Sequence, residues 1–225
     1  MSSLKSYIKS IRWLMRCYYY TRFTWYGNRC VVNGRNNFIH YGNALMKNNT
    51  FYITGDNNVL QFGDSASIIS CQFTVKGNEH RLEVGNNVSF FKTNFAFEDR
   101  GGFISIGDKT SILEKCEIAT VENNSKVQIG AHCMFATSVD IRNSDSHSIV
   151  SNENNKRINP GKDIVIGDHV WLGAYVAVLK GVTIGKDSVI GIRSVVTKDI
   201  PSGVVAVGVP ARVVKEGINW KEERI

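Results

Sequence analysis

Between Ile166 and Val196 an aliphatic side chain falls at every sixth position, as Ile166, Leu172, Val178, Ile184, Ile190 and Val196. A small or branched residue follows each of the first five by four, at Val170, Val176, Val182, Ser188 and Ser194. An amphipathic helix repeats its apolar face near 3.6 residues and a strand near two, so a sustained period of six belongs to neither. Short strands joined by fixed corners give it. Gly167, Gly173, Gly185 and Gly191 each follow an aliphatic position and mark corners, where a residue without Cβ turns the chain at least cost. Three such six-residue sides close one triangular coil, and Ile166-Gly167 and Ile184-Gly185 are one full coil apart. Coils stacked about 4.8 Å apart pair their backbones with one another and turn their aliphatic residues into a shared interior.

The same mark recurs upstream as Tyr41-Gly42, Phe62-Gly63, Val84-Gly85, Ile106-Gly107 and Ile129-Gly130, at slightly longer and less regular intervals. Turn-forming clusters such as Gly55-Asp56-Asn57-Asn58 and Gly77-Asn78-Glu79-His80 account for the extra length at one corner. The chain reads as an all-β solenoid over about residues 30–208, preceded by a helical segment, 1–29, and followed by a tail, 209–225, expected to be helical. The interval from Ile129 to Ile166 is about twice a regular coil, so this coil carries a long insertion, centred on Asn143 to Lys162. A long loop ejected from a regular scaffold is where function concentrates.

The net charge of +7 is unevenly placed, because residues 1–30 hold Lys5, Lys9, Arg12, Arg16, Arg22 and Arg29 and no acid. Leu4, Ile8, Ile11, Met15 and Tyr18 recur there at helical spacing beside several tyrosines and tryptophans. Two readings stay open. The segment caps the open end of the solenoid, or it lies on an anionic membrane surface. The body of the chain is nearly neutral, which argues against nucleic acid as a partner. No apolar run approaches a membrane span, and charges spread throughout the N-terminal stretch do not fit a secretory signal. Five cysteines, an odd number without paired spacing, point to a reducing compartment and hence to a cytoplasmic protein, with the inner face of the membrane as its peripheral site if the second reading holds. Cys71, Cys116 and Cys133 fall inside coils and read as small buried hydrophobes.

The segment Ile164 to Lys215, with Ile166-Gly167-Asp168-His169-Val170-Trp171-Leu172-Gly173, Thr197-Lys198-Asp199-Ile200-Pro201 and Gly208-Val209-Pro210-Ala211-Arg212, resembles the hexapeptide-repeat acyltransferases. Asp145-Ser146-His147-Ser148-Ile149 followed by Arg157-Ile158-Asn159-Pro160 is similar to the bacterial members that O-acetylate surface polysaccharides, relatives of the maltose and galactoside acetyltransferases. The resemblance implies a left-handed wind, a homotrimer with active sites between subunits, and acetyl-CoA as donor. It also implies a carbohydrate acceptor, either a surface polysaccharide or its lipid-linked precursor, or else a small acceptor such as a free sugar, an amino sugar or an antibiotic.

A hydroxyl is a poor nucleophile at neutral pH, so a base must take its proton as it attacks, and an imidazole suits that task. The family match makes His147 the candidate. Asp145, two residues earlier, either holds the other ring nitrogen, as the acid of a triad does, or caps a turn. Asn143 and Arg157, on the same insertion, are candidate acceptor contacts. For the donor, the resemblance implies Lys198, Arg212 and Lys215 near its phosphates, Ala174, Ile192 and Thr197 along its arm, and Trp171 beside the reacting thioester. Each has a plainer alternative as solvated charge or packing. The oxyanion donor stays unassigned, since Ile112-Leu113-Glu114-Lys115-Cys116 stands where related enzymes carry an asparagine. His132, His147 and His169 could be weighed as zinc ligands, but their spacing does not match the three-histidine zinc enzymes of this fold, and no metal is expected. No Gly-x-Ser-x-Gly elbow supports covalent catalysis.

Overall fold

The computed structural model describes residues 21–225. The basic, aromatic stretch 1–20, with the helix expected there, lies outside the described residues. From Arg29 onward, short strands wind into a parallel triangular prism with an eight-stranded, a seven-stranded and a nine-stranded sheet as its faces, here called sheets 1, 2 and 3 in the order the chain visits them. Along sheet 1 the offset between neighbouring strands is set by the coil length: Arg29 lies opposite Thr50, Thr50 opposite Gln72, Gln72 opposite Asn94 and Asn94 opposite Glu117. These steps reproduce the longer upstream rhythm of the sequence. In the last coils the step shortens to three six-residue sides, with Ile166 opposite Ile184 and Trp171 opposite Val189.

In-register stacking places like on like in the interior. Ile166, Leu172, Val178, Ile184, Ile190 and Val196, with the five residues that follow at +4, are all fully buried. On sheet 1 the inward row runs Phe51, Phe73, Phe95, Ile118, Ile141, Val178 and Val196. The aromatic end stacks face to face, with centroids 4.6 Å apart for Phe51–Phe73 and 5.0 Å for Phe73–Phe95. Burial of each such side chain stabilises by about 1.5–3 kcal/mol.

The corner glycines act by letting coils approach closely. A Cβ on Gly63 would stand 2.5 Å from the carbonyl carbon of Gly85 in the next coil. The left-handed conformation that actually turns this corner falls two residues later, on Ser65, Asn87, Lys109, His132 and His169. Between the two, Asp64 N–H donates to Asn86 Oδ1 at 2.8 Å and Asn86 N–H to Asp108 Oδ1 at 2.7 Å, so each acid or amide caps the coil before it.

Both ends are covered. Helical residues 21–25 bring Phe23 onto Tyr41 and Phe51, and Asn28 donates to Met46 O at 2.7 Å, so this stretch caps the first coil. At the other end the tail is not the expected helix. Arg212–Glu216 forms a strand antiparallel to Val204–Val207, with a bulge between Val205 and Ala206. The β-branched pair Val213-Val214 fits a strand, and the bare edge of sheet 3 offers it partners. Beyond it Trp220 folds back onto the corner at His169.

Candidate functional site

The long insertion leaves sheet 1 at Arg142, at the corner where the chain passes to sheet 2, and ends where sheet 2 resumes at Ile164. Its neck is Asn143. This side chain is fully buried, with Oδ1 accepting from Val121 N–H at 2.8 Å, Nδ2 donating to Val121 O at 3.3 Å, and the main-chain carbonyl accepting from Lys162 N–H at 2.9 Å. Asn143, expected among the acceptor contacts, closes the base of the loop.

Within the loop one side chain organises the rest. Asn159 Nδ2 donates to the His147 carbonyl at 2.8 Å and to Asp145 Oδ2 at 2.7 Å, while its Oδ1 accepts from Ile149 N–H at 2.6 Å. His147 N–H donates to the Asp145 carbonyl at 2.7 Å. The backbone on both sides of the imidazole is thus fixed, yet the ring itself is exposed and has no hydrogen-bond partner among the described residues. Asp145 does not orient that ring within the chain. Its carboxylate pairs with Lys180 Nζ, from the following coil, and with Asn159. The Lys180 ammonium and the Asn159 amide hold it below the ordinary carboxylate range.

From the preceding coil Glu122 grips the same loop. Its carboxylate accepts from Arg157 Nη2 at 2.6 Å and Nη1 at 3.1 Å, from Ser144 Oγ at 2.6 Å and from Gly161 N–H at 2.9 Å. The Arg157 guanidinium, with the Ser144 and Gly161 donors, brings the Glu122 pKa down to about 2. Arg157, expected to meet the acceptor, is engaged by Glu122 and also donates to Asn159 Oδ1 at 3.3 Å and its carbonyl at 3.2 Å. Glu122, Asn159 and Lys180 escaped the sequence reading because their roles depend on stacking between coils. Nothing in the sequence set Glu122 apart, since earlier coils also carry acids at this corner, at Asp56, Glu79 and Asp99.

The expected donor contacts fall into two groups. Lys198, in the column of corners that also holds Lys180, lines a shallow cavity of about 200 Å³ with Asp199, Ile200, Ala211, Arg212 and Val213. Thr197 immediately precedes it, and Lys215 lies on the reversed strand opposite Val205. Trp171 faces outward from sheet 3, and Ala174 and Ile192 occupy successive coils at the corner between sheets 3 and 1, joined by Arg193 N–H donating to Ala174 O at 2.8 Å. Sheet 3 is the face opposite the corner that carries His147, so one chain does not bring His147 and Trp171 together.

His169 is engaged structurally. Nδ1 lies 3.0 Å from Asp187 Oδ1, the ring stacks on Trp220 at 4.2 Å, and its carbonyl accepts from Trp220 Nε1 at 2.8 Å. Among the described residues no three His, Cys, Asp or Glu side chains converge as a metal site would require. Cys71, Cys116 and Cys133 are buried, and desolvation pushes each thiol up to about 11, which leaves no thiolate nucleophile among them at neutral pH. No helix among the described residues is long and apolar enough to cross a membrane.

Residues 163–198 match the family model for bacterial transferase hexapeptide repeats. A polysialic acid O-acetyltransferase of Neisseria meningitidis is 36% identical over 155 residues, covering 66% of this chain and 68% of that protein. The galactoside O-acetyltransferase of Lactococcus lactis is 43% identical over 137 residues, 61% of this chain and 63% of that one. The crystal structure of the polysialic acid O-acetyltransferase OatWY superposes with a TM-score of 0.84 at 35% identity, over 88% of this chain and 92% of that one. The prism described above is the left-handed β-helix of these acetyltransferases.

Proposed function

Because this chain belongs to the hexapeptide-repeat acyltransferases, we propose that it moves an acetyl group from acetyl-CoA to a sugar hydroxyl of a bacterial surface polysaccharide or its lipid-linked precursor, with His147 as general base. The observation that carries this reading is the presentation of His147: main chain bonded on both sides, ring exposed and unpartnered among the described residues. A base must be held in place yet keep a nitrogen free for the acceptor proton. Acetyl-CoA, when bound, supplies the activated acyl group. The cavity lined by Lys198 and Arg212, together with Asp199, Ile200, Ala211 and Val213, offers two cations to the phosphate-bearing end of such a donor. Lys215, Thr197, Ala174 and Ile192 line its path.

Trp171 stands on the face opposite the His147 corner, and a second copy of the chain packed against that corner supplies its own Trp171 there. The homotrimer that the family resemblance implies, with its sites between subunits, would bring the two together. In that site the indole excludes water from the thioester, while His147 takes the hydroxyl proton as the sugar oxygen attacks. The acceptor is polymeric, as in the relatives named for polysialic acid. The charge of Lys5, Lys9, Arg12, Arg16, Arg22 and Arg29, with no acid among residues 1–30, suits attraction to an anionic membrane at which a lipid-linked acceptor would be presented.

The decisive experiment is incubation of the full chain with labelled acetyl-CoA and a panel of bacterial oligosaccharides, polysaccharides and free sugars, followed by locating the acetyl group. Label on a polysaccharide oxygen supports the proposal. Label on free sugars alone assigns a small acceptor, and no transfer to any hydroxyl sinks it.

A further inference from the structure

We propose that Glu122 is the positioning residue for His147, fixing from the preceding coil the loop conformation in which the imidazole is presented. This rests on the general-base reading above. All the partners of its carboxylate lie on the loop: Ser144 at the departing arm, and Arg157 and Gly161 at the returning arm. One carboxylate therefore bonds both arms of a loop that is otherwise joined at the neck, at the Val150–Arg157 bridge, through Asn159 and by Lys180. Arg157 carries the constraint inward, because the guanidinium that pairs with Glu122 also donates to Asn159. Asn159 in turn holds the His147 carbonyl. Glu122 thus reaches the base through two intermediaries and touches no reacting atom.

Glu122 sits at φ 82, a left-handed corner conformation that Glu79 and Asp99 also adopt, so its partners rather than its backbone set it apart. A Cβ on Gly161 would stand 3.0 Å from Glu122 Cδ, so the carboxylate seat favours glycine there. Lys180 is the counterpart from the following coil, bonding Asp145 and the Asn159 carbonyl. Glu122 and Lys180 thus each span the two arms, Glu122 nearer the neck and Lys180 at Asp145 and Asn159.

The test compares wild type with Glu122→Gln, Glu122→Asp, Arg157→Gln and the Glu122→Gln/Arg157→Gln double variant by steady-state kinetics, thermal melting and the rate of tryptic cleavage after Lys156. Glu122→Gln keeps the shape and loses the charge. It is expected to lower kcat about 10- to 100-fold, the scale of a small misplacement of a catalytic group. The KM for acetyl-CoA and the melting temperature stay near wild type, and cleavage of the loop accelerates. Glu122→Asp recovers part of kcat, and the double variant loses no more than either single one, as two members of one linkage should. Wild-type kcat with wild-type cleavage in Glu122→Gln overturns the proposal, and so does a kcat loss matched by a fall in melting temperature. If the wild type transfers no acetyl group, or His147→Ala remains active, the functional reading fails instead. The cleavage rates then still decide whether Glu122 holds the loop.

Discussion

The coils between Ile164 and Val196 and the loop between Asn143 and Lys162 are neighbours held together by opposite means. In the coils the backbone does the holding: Trp171 N–H donates to Ser188 O, Gly173 N–H to Ile190 O and Ala177 N–H to Ser194 O, rung after rung, and side chains fill the space enclosed. In the loop side chains hold the backbone. Asn159 ties together Asp145, His147 and Ile149, while Glu122 and Lys180 each join the two arms. Repetition shares any loss among many equivalent bonds, whereas the loop concentrates its order in a few polar groups. Damage to the coils should therefore appear as lost stability, and damage to the loop as lost activity.

The sharpest contrast comes from His147→Ala. Acetyl transfer should fall by about 10²- to 10⁴-fold, the usual share of a general base, with the melting temperature unchanged. Activity near wild type would move the base elsewhere and leave the loop without its assigned purpose. Leu172→Ala, in the coil that follows the loop, should do the reverse. Removing a fully buried leucine side chain costs about 2–5 kcal/mol of stability. Denaturant titration should show that loss while the folded fraction retains its turnover; a selective loss of turnover would mean that core packing and chemistry are not separable here.

The smallest effect separates the two regions by pH. The Glu122 carboxyl is lowered from 4.5 to about 2 in the folded chain, so the stabilisation it gives the loop is complete above its unfolded value and is lost as pH falls through the folded one. Between pH 4.5 and about 2 the loop should release before the coils. The amide proton shift of Gly161, bonded to Glu122, reports this directly. A midpoint at the ordinary carboxylate value would show that the grip is absent in solution.

The contrast also explains what the sequence disclosed. A period of six is written in every coil, so the corners, the inward rows and the place of the insertion were legible from Ile166 to Val196 and then back along the chain. His147 stood out because a short motif surrounds it. The loop bonds of Asn143 and Arg157 were not legible, because a polar residue on such a loop looks the same in sequence whether it faces an acceptor or ties the loop to its scaffold. Glu122 lies a whole coil before His147 and Lys180 well beyond it, and only coil stacking brings them to its loop. The tail was misjudged because no periodicity runs through Arg212–Glu216, and the open sheet edge that recruits it exists only after the coils have formed.

That reversed strand has a consequence for how the molecule is measured out. A parallel stack in which every rung templates the next has no length of its own, and nothing in its pattern says when to stop. Arg212–Glu216 pairs in the opposite sense and shifts register at the Val205–Ala206 bulge, so a further parallel rung on that sheet would find the wrong donors and acceptors. It is a terminator in the sense that a chain-growth chemist would use the word. It closes the end of sheet 3 to a further parallel rung.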